Sequence, residues 1–464
     1  MIWKRRILYA VLILGVLIVS MILYLYILGE NTHQIVQEKR MIVNEGESSK
    51  KIGGNIAQRL QVVEGIKRDT SEIEIKFVKK IPLSEGVIDV ILDEETGMPR
   101  LLLYESKRFP GNANKIELLD SSGNVKKMMN IEKEGGVFAD VSENNKFLLI
   151  MKDIKYKGKD VRKYIIYNDN LEKVWEVDDA GVTMAPEVSP DGSYVLAYGF
   201  GGVTMFKNDG TKKEILTYQP TDGPEVKVYF SNEGEYFAVY YKDEAINHKI
   251  IAVFDKTGKK LWENRSTRNK GGEIGFSPDN KYIVARVSIS NNSQGEKMAL
   301  LKSFDINGHE KWYFPIEFIT IPFYSFGFSE DGKLLLVGGY LRNIILLLSM
   351  EDGSLLCRWH YPAENFAIVR LYRTKDLKTI VVVGIIFEPG TKKTLKRVLS
   401  ILDRECRVIY EGELHHDDFP RFDTLNYPYP PSIGFLERIG EKIYLLLNSP
   451  LKIQKLEIEL GGIR

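Results

Sequence analysis

The chain has 464 residues, 44% of them hydrophobic, so it can bury a sizeable core and is not a disordered chain. Its 64 Lys and Arg balance 63 Asp and Glu, which argues against nucleic acid as a partner. Two cysteines exclude a disulfide scaffold and a four-cysteine zinc site, and the six histidines show no paired metal-ligand spacing.

The first predicted element is an uncharged apolar stretch from Ile7 to Gly29. As a helix it spans ~34 Å, which is enough to cross a bilayer. It exceeds the usual signal-peptide core of ~7–15 residues, so an uncleaved signal anchor is favoured over a cleaved signal peptide. The basic residues Lys4–Arg6 precede it and Glu30 follows it. The positive-inside bias therefore predicts a short cytoplasmic tip, residues 1–6, and an extracytoplasmic location for everything after the anchor.

Residues 30–71 are predicted to be a juxtamembrane linker, because apolar residues are sparse there. One short amphipathic helix is a candidate within it, from the spacing of Ile52, Ile56, Leu60 and Val63. Val43-x-x-Gly46-x-Ser48 loosely resembles the LysM-like module of membrane-anchored lytic transglycosylases. A plain linker is the preferred interpretation.

A tight turn recurs from residue 72 onward. Its copies, which we call serine turns, begin at Ser142, Ser189, Ser231, Ser277 and Ser329. Each carries acidic, Asn or Gly residues at the next positions, and an apolar, strand-like run follows. These residue types are typical of hairpin turns. The pattern predicts a series of antiparallel hairpins.

A second turn lies about half a repeat later and reads Asp-x-x-Gly, as in Asp255–Gly258 and Asp305–Gly308. We call its copies aspartate turns. Four of the five tryptophans follow such turns: Trp175, Trp262, Trp312 and Trp359. A Trp that repeats at one structural position is expected to fill the core between layers rather than to stack on a cofactor.

The two turns together give four short strands per repeat, the pattern of a β-propeller blade. Eight repeats over residues 72–461 average about 49 residues, within the ~40–50 of known blades. We therefore predict an all-β fold, an eight-bladed propeller of four-stranded blades, with seven blades as the alternative. We place the serine turns between the second and third strands of a blade and the aspartate turns between blades. The chain is expected to enter through an inner strand on the short-turn face, with the longer connections on the opposite face.

The aspartate turn followed by Trp resembles the repeat of quinoprotein-like (PQQ-type) propellers, and the architecture resembles that of BamB-like proteins. Ser277-Pro-Asp-Asn-Lys-Tyr is similar to the turns of WD-repeat and TolB-type propellers. The resemblance covers most of residues 85–450 and implies the fold. It does not imply one function, because propellers serve enzymes and scaffolds alike.

Quinone-dependent members of that family use a vicinal Cys–Cys disulfide, a calcium-binding carboxylate set and a stacked Trp. Here Cys357 and Cys406 are 49 residues apart, so no quinone cofactor is expected. Cys357 stands where a Trp would in its repeat, and Cys406 stands where the turn glycine would. We predict that they are isolated thiols, one buried and one near a surface turn.

No nucleophile elbow, phosphate-binding loop, HExxH or CxxC motif is present, so no catalytic residue is assigned. The turn aspartates are expected to accept hydrogen bonds from neighbouring backbone amides. The run His415-His416-Asp417-Asp418 has metal-ligand chemistry. Adjacent loop residues rarely all face one ion, so no metal is predicted.

The longest predicted connection runs from Gly412 to Pro431, and we call it the rim segment. Long loops on a rigid scaffold often carry recognition, and aromatic and Arg side chains are common interface anchors. The alternative is that this segment plugs the central channel. The candidate partner-binding residues are His415, His416, Asp418, Phe419, Arg421, Phe422, Tyr427 and Tyr429.

The predicted function is that of a membrane-anchored extracytoplasmic propeller that binds a protein as a scaffold, assembly factor or sensor domain, without a cofactor. The alternative is a hydrolase or lyase acting on a glycan or peptide at the rim. That activity would need clustered carboxylates or a nucleophile near the channel mouth. A third interpretation is a structural envelope protein.

Overall fold

The computed structural model describes the chain from Ile73 to Leu460, with gaps at short connections. The residues outside the description are 1–72, 83–86, 93–98, 106–112, 121–123, 132–135, 143, 145, 157–158, 180–184, 200–201, 219–225, 244–247, 267–272, 290–297, 318–323, 340–343, 364, 389–393, 414–432, 436, 440–441, 450–451 and 461–464. The predicted anchor, the linker and most of the rim segment therefore lie outside the described residues.

The described residues form strands that assemble into seven four-stranded sheets and one five-stranded sheet. In chain order the strands begin with β1 (Ile73–Pro82), β2 (Val87–Leu92), β3 (Pro99–Glu105), β4 (Ala113–Leu119), β5 (Val125–Asn130), β6 (Gly136–Val141), β7 (Phe147–Tyr156), β8 (Lys159–Asn168) and β9 (Lys173–Asp179). The middle strands are β10 (Ala185–Val188), β11 (Tyr194–Gly199), β12 (Gly202–Lys207), β13 (Lys212–Thr217), β14 (Lys227–Phe230), β15 (Tyr236–Asp243), β16 (His248–Asp255), β17 (Lys260–Ser266), β18 (Ile274–Phe276), β19 (Tyr282–Ile289), β20 (Met298–Asp305) and β21 (Glu310–Glu317). The last strands are β22 (Tyr324–Phe328), β23 (Leu334–Gly339), β24 (Ile344–Ser349), β25 (Leu355–His360), β26 (Phe366–Arg373), β27 (Thr379–Phe387), β28 (Thr394–Asp403), β29 (Val408–Glu413), β30 (Ile433–Phe435), β31 (Glu437–Ile439), β32 (Lys442–Ser449) and β33 (Lys452–Leu460).

Consecutive strands build the sheets, and we number the sheets from β2 onward. Sheets one to six each take four strands in order, such as β10-β11-β12-β13 for the third, and all their pairings are antiparallel. The first strands of neighbouring sheets contact one another, as β6 does with β10 and β14 with β18. We therefore call the first strand inner and the fourth strand outer. The prediction of a propeller-like all-β fold with repeated four-stranded antiparallel sheets is confirmed.

The turns lie one strand away from their predicted places. The serine turn that begins at Ser189 joins an inner strand, β10, to the second strand, β11. The aspartate turn Asp255–Gly258 joins the third strand, β16, to the outer strand, β17, inside one sheet. The predicted assignment was wrong because a turn motif marks a sharp reversal but does not reveal which connection crosses to the next sheet. Antiparallel alternation still puts both turn types at one edge of each sheet and the other connections, from two-residue links to the longest segments, at the opposite edge.

The two ends of the described chain meet in the eighth sheet, whose order is β1-β33-β32-β31. Ile73 pairs with Leu460, and Pro82 pairs with Lys452. The first strand is therefore an outer strand, and the prediction of entry through an inner strand was wrong. A pairing across nearly the whole chain leaves no local pattern in the sequence. Because β33 is a third strand and β1 is antiparallel to it, β1 begins at the edge that carries the short turns.

The seventh sheet has a fifth strand at its inner edge. The short strand β30 pairs in parallel with the inner strand β26, with Leu371 opposite Ile433 and Arg373 opposite Phe435. β30 is the segment that follows the rim segment in the chain. The backbone edge of β26 is thus already occupied by the chain itself.

The core lies between neighbouring sheets rather than in one central cluster. Tyr164 of the second sheet and Phe206 of the third are fully buried, with ring centroids 5.5 Å apart in an edge-to-face contact. Tyr194 of the third sheet meets Phe230 of the fourth in the same way, at 5.8 Å. Removing one such ring costs about 3–5 kcal/mol, so the contacts between sheets contribute substantially to the stability.

Candidate functional site

The residues predicted to bind a partner all lie outside the described residues. The structure describes the chain up to Glu413, the last residue of β29, and again from Ile433, the first residue of β30. Recognition by the rim segment therefore stays a prediction, as does the alternative that it plugs the channel. The described residues do show hydrogen-bonded turns, contacts between outer strands and turns, and a polar cluster near the inner strands.

The serine turns are closed by their own side chains. The hydroxyl of Ser329, which is only 2% exposed, donates to Asp331 Oδ1 at 2.6 Å and accepts from the backbone N–H of Leu334 at 2.9 Å. Asp331 also accepts from the N–H of Lys333 at 3.1 Å. The hydroxyl of Ser329 and this amide together lower the pKa of Asp331. The prediction that turn aspartates serve the turn backbone is confirmed here.

Side chains of an outer strand pack on the aspartate turn of the next sheet. The indole N–H of Trp262 in β17 donates to the carbonyl of Ile306 in the next sheet at 3.0 Å. A Cβ built on Gly308 of that same turn would lie 2.7 Å from the Trp262 ring. Gly308 is therefore required twice, because its φ is +89° and because a side chain would displace the indole. We call this packing of an outer-strand side chain on the next aspartate turn the junction contact.

The two cysteines are not isolated thiols. Cys357 and Cys406 form a disulfide with a Cα–Cα distance of 5.7 Å, within the usual range for such bonds. Their positions in the repeat were correctly predicted: Cys357 lies in β25, and Cys406 adopts a φ of +58° at the end of an aspartate turn. The prediction was wrong because one repeat of sequence separation brings a strand of one sheet against the turn of the next.

A polar cluster crosses the inner region of four consecutive sheets, the second to the fifth, and we call it the inner-strand cluster. It consists of Asp140, Glu187, Tyr198, Tyr229, Glu273 and Arg286. Asp140 in β6 accepts a hydrogen bond from the backbone N–H of Val188 in β10 at 3.0 Å, which joins two inner strands. Burial raises the pKa of Asp140 to about 7, while the amides of Val188 and Val141 oppose the shift.

Two tyrosines of the inner-strand cluster interact with its acids. The hydroxyl of Tyr198 donates to Glu187 Oε1 at 2.5 Å. Burial, followed by the charge of Glu187, raises the pKa of Tyr198 far above its ordinary value. Burial also raises the pKa of Tyr229, and the charges of Glu273 and Glu187 add to the shift. Both phenols are therefore neutral and can act as hydrogen-bond donors at physiological pH.

The far end of the cluster is an ion pair. Arg286 Nε in β19 lies 2.6 Å from Glu273 Oε2, and the Arg286 side chain is only 3% exposed. The backbone N–H of Arg286 also donates to the carbonyl of Glu273 at 3.0 Å. Burial raises the pKa of Glu273 to about 7, although Arg286 and Lys227 oppose that shift. The fold thus brings three carboxylates and a guanidinium together on, or next to, the first two strands of neighbouring sheets.

Sequence analysis did not single out the inner-strand cluster. The available signal was positional: Asp140 and Glu187 stand two residues before the serine of a serine turn, and Glu273 stands four before Ser277. These positions fall on inner strands or next to them. The hydrolase alternative calls for clustered carboxylates or a nucleophile near the channel mouth, and three carboxylates do belong to this cluster. The described contacts engage Asp140 with a backbone amide, Glu187 with a tyrosine and Glu273 with an arginine. Among the described residues, no group of three His, Cys, Asp or Glu is arranged to hold a metal ion.

These features define a propeller-like all-β protein whose sheets are joined at both their outer and inner strands. In the part of the chain that the structure describes, no helix has the length and apolar character needed to cross a membrane, and the predicted anchor lies outside that part. No protein-family model matches the chain, and neither does any curated protein.

Solved structures similar to this chain include one enzyme and two propellers. The hydrazine synthase of Kuenenia stuttgartiensis is 11% identical, with a TM-score of 0.40 over 70% of this chain and 98% of that one. The Dos1 propeller is 12% identical, with a TM-score of 0.48 over 83% and 96%. The β-propeller domain of Myceliophteria thermophila Cps50 (Swd1) is 9% identical, with a TM-score of 0.40 over 82% and 99%. All three TM-scores are below 0.5, so the fold assignment rests on the sheet topology of the chain itself.

Proposed function

We propose that this protein is a membrane-anchored, extracytoplasmic β-propeller of eight blades, one per sheet, that binds another protein through its long-connection edge. The observation that carries the proposal is the difference in connection length between the two edges of the sheets. Serine and aspartate turns are short and closed by their own hydrogen bonds, as in Ser189–Tyr194 and Asp255–Lys259. The opposite edge has two-residue links as well, such as 157–158, but all connections of seven or more residues between the described strands lie there, the longest being residues 414–432 between β29 and β30. Long segments on a rigid scaffold suit recognition.

The direction of the first strand supports an outward-facing recognition edge. β1 begins at the short-turn edge, so the chain arrives there from the predicted anchor. The rim segment would then point away from the bilayer, where a soluble partner can reach it. Scaffold, assembly factor and sensor domain share this geometry, and the identity of the partner decides among them.

The Cys357–Cys406 disulfide supports the extracytoplasmic location. Disulfides persist in oxidising compartments and are rare in the cytosol, where thiols are kept reduced. A phosphatase that is active only outside the cytoplasm, fused after Arg464, tests this part of the proposal. We expect an active fusion, and we expect the same fusion lacking Ile7–Gly29 to be inactive. An inactive full-length fusion would contradict the proposed topology.

Partner binding is tested by cross-linking the full-length protein in gentle detergent, followed by mass spectrometry. The test variant is F419A/F422A in the rim segment, and the matched control is V174S. Val174 is an apolar residue that is 49% exposed on the outer strand β9, away from the long-connection edge. We expect one stoichiometric partner with the wild type and V174S, and its loss with F419A/F422A. Equal recovery of the partner by both variants, or recovery of the protein alone in every case, would overturn the proposal.

A further inference from the structure

The junction contact recurs one junction later with the same two elements, an indole N–H donated to a turn carbonyl and an indole packed on a glycine, in a turn that is one residue longer (Ser349–Gly353). Trp312 in β21 donates its indole N–H to the carbonyl of Met350 in the next sheet at 2.8 Å. A Cβ on Gly353 of that turn would lie 2.6 Å from the Trp312 ring, and Gly353 has a φ of +70°. The same contact joins Trp262 to the turn of Gly308 one sheet earlier. Two successive junctions are therefore closed by an indole packed on a glycine.

At the next junction, between the sixth and seventh sheets, a disulfide takes the place of the indole and the glycine. Trp262, Trp312 and Cys357 each follow a one-residue bulge in their outer strand, opposite Val253, Ser303 and Leu347 of the third strand. Cys406 matches Gly308: its N–H donates to Asp403 O at 3.0 Å, as that of Gly308 donates to Asp305 O at 3.0 Å. Cys357 Sγ also lies 3.5 Å from the carbonyl of Arg404 in the same turn.

When the disulfide is reduced, the two thiols hold this junction less well than the indole and glycine hold the two preceding junctions. An indole on a glycine packs by shape and donates a hydrogen bond, whereas two thiols are small and donate weakly. Cys406 is 8% exposed and belongs to the buried cluster between these two sheets, and Cys357 packs against that cluster. Without the bond, this contact would keep neither an indole packed on a turn glycine nor a covalent link, and the junction would rest on the buried cluster alone, in which Trp359 of β25 and Phe366 of β26 pack with ring centroids 6.1 Å apart.

We propose that the Cys357–Cys406 disulfide is a covalent form of the junction contact and makes the junction between the sixth and seventh sheets a redox-controlled opening point of the propeller. The partner chemistry is a dithiol reductant outside the cytoplasm. Its thiolate attacks the partly exposed Cys357 sulfur and Cys406 leaves as a thiolate that takes up a proton. The second thiol of the reductant then attacks the mixed disulfide, which releases Cys357 as a thiol and oxidises the reductant to a disulfide. Opening frees the turn that begins β29, the strand that leads into the rim segment.

The experiment is hydrogen–deuterium exchange of the full-length protein in detergent, with and without dithiothreitol. Three proteins are compared: the wild type, C357S/C406S, and C357W/C406G, which rebuilds the indole-on-glycine contact of the two preceding junctions. In the wild type we expect dithiothreitol to speed exchange in β25 and residues 403–413 on the order of tenfold or more, with β17 and residues 305–310 unchanged. C357S/C406S should exchange fast in both conditions. C357W/C406G should exchange slowly in both conditions.

Three outcomes would overturn the proposal. Alkylation of both cysteines in the native protein before reduction would show that the bond does not form. Unchanged exchange after full reduction of the wild type would show that the bond does not hold the junction. Fast exchange in a folded C357W/C406G would show that the two contacts are not equivalent. Should C357S/C406S fail to fold, reduction of the folded wild type still gives the answer.

Discussion

Replacing Asp140 by Asn tests whether the inner-strand cluster makes the stability of the fold depend on pH. Burial raises the pKa of Asp140 to about 7 from an ordinary value of 3.8. A carboxyl whose pKa is higher in the folded state binds its proton more tightly there than in the unfolded state. The ionisation of Asp140 therefore costs no stability well below pH 4. Its cost grows as pH rises from about 4 to about 7 and is constant above that.

The magnitude follows from the size of the shift. A difference of about 3 pKa units at about 1.36 kcal/mol per unit gives an upper value of about 4 kcal/mol by pH 8. Asn keeps an oxygen that can accept from the N–H of Val188, so the hydrogen bond between the two inner strands can persist. We therefore expect D140N to be more stable than the wild type at pH 8, by on the order of 1–4 kcal/mol, and nearly equal at pH 4.

The assay is urea unfolding of the full-length protein in detergent, followed by tryptophan fluorescence at pH 4, 6 and 8. Comparing the variant with the wild type at each pH cancels the titration of all other groups. D178N is the matched control, because the Asp178 side chain is 56% exposed and the same chemical change there removes no buried charge. Parallel pH profiles for D140N and the wild type would refute the reasoning, because they would show that Asp140 binds its proton equally in both states.

Two further predictions concern the ion pair between Glu273 and Arg286 and the junction contact at Gly353. R286M should destabilise the protein more at pH 8 than at pH 4, because Arg286 lowers the pKa of Glu273 and its loss leaves the ionised carboxylate buried without its counterion; the same urea series measures it, and equal losses at the two pH values would contradict the buried ion pair. Gly353→Ala should lower the melting temperature more than Gly210→Ala. Both glycines have a positive φ, of 70° and 83°, but only the first would press a methyl group into Trp312, so equal losses would show that the junction contact is not tightly packed.

The sequence was sufficient for the fold because each repeat carries its own turn chemistry. Ser329 and Asp331 form the predicted hydrogen bonds, and Gly308 adopts the positive φ that its motif requires. These interactions span a few residues, so their pattern is visible along the chain. The two turn types could also be put at one edge by alternation alone.

Two features that the sequence missed are contacts between sheets. The disulfide joins Cys357 to Cys406 across one full repeat, and the inner-strand cluster joins Asp140 to Val188 of the following sheet. Such contacts depend on which face each strand turns toward its neighbour. When the turns are assigned one strand away from their true places, the face that each strand turns toward its neighbour is assigned wrongly as well. The sequence holds no local signal that corrects this. The partner-binding prediction for the rim segment remains to be tested by the F419A/F422A experiment.

The pairing of β1 with β33 also sets the order in which the protein can finish folding. Ile73 emerges from the ribosome 387 residues before its partner Leu460. At ~5–20 residues per second, the first strand waits on the order of 20–80 s before its partner exists. During that time its backbone hydrogen-bonding groups are unpaired, and an unpaired strand is a template for wrong association. Completion of the eighth sheet is therefore a late event in biogenesis, and a chain truncated before β33 would leave its first strand without a partner for the lifetime of the molecule.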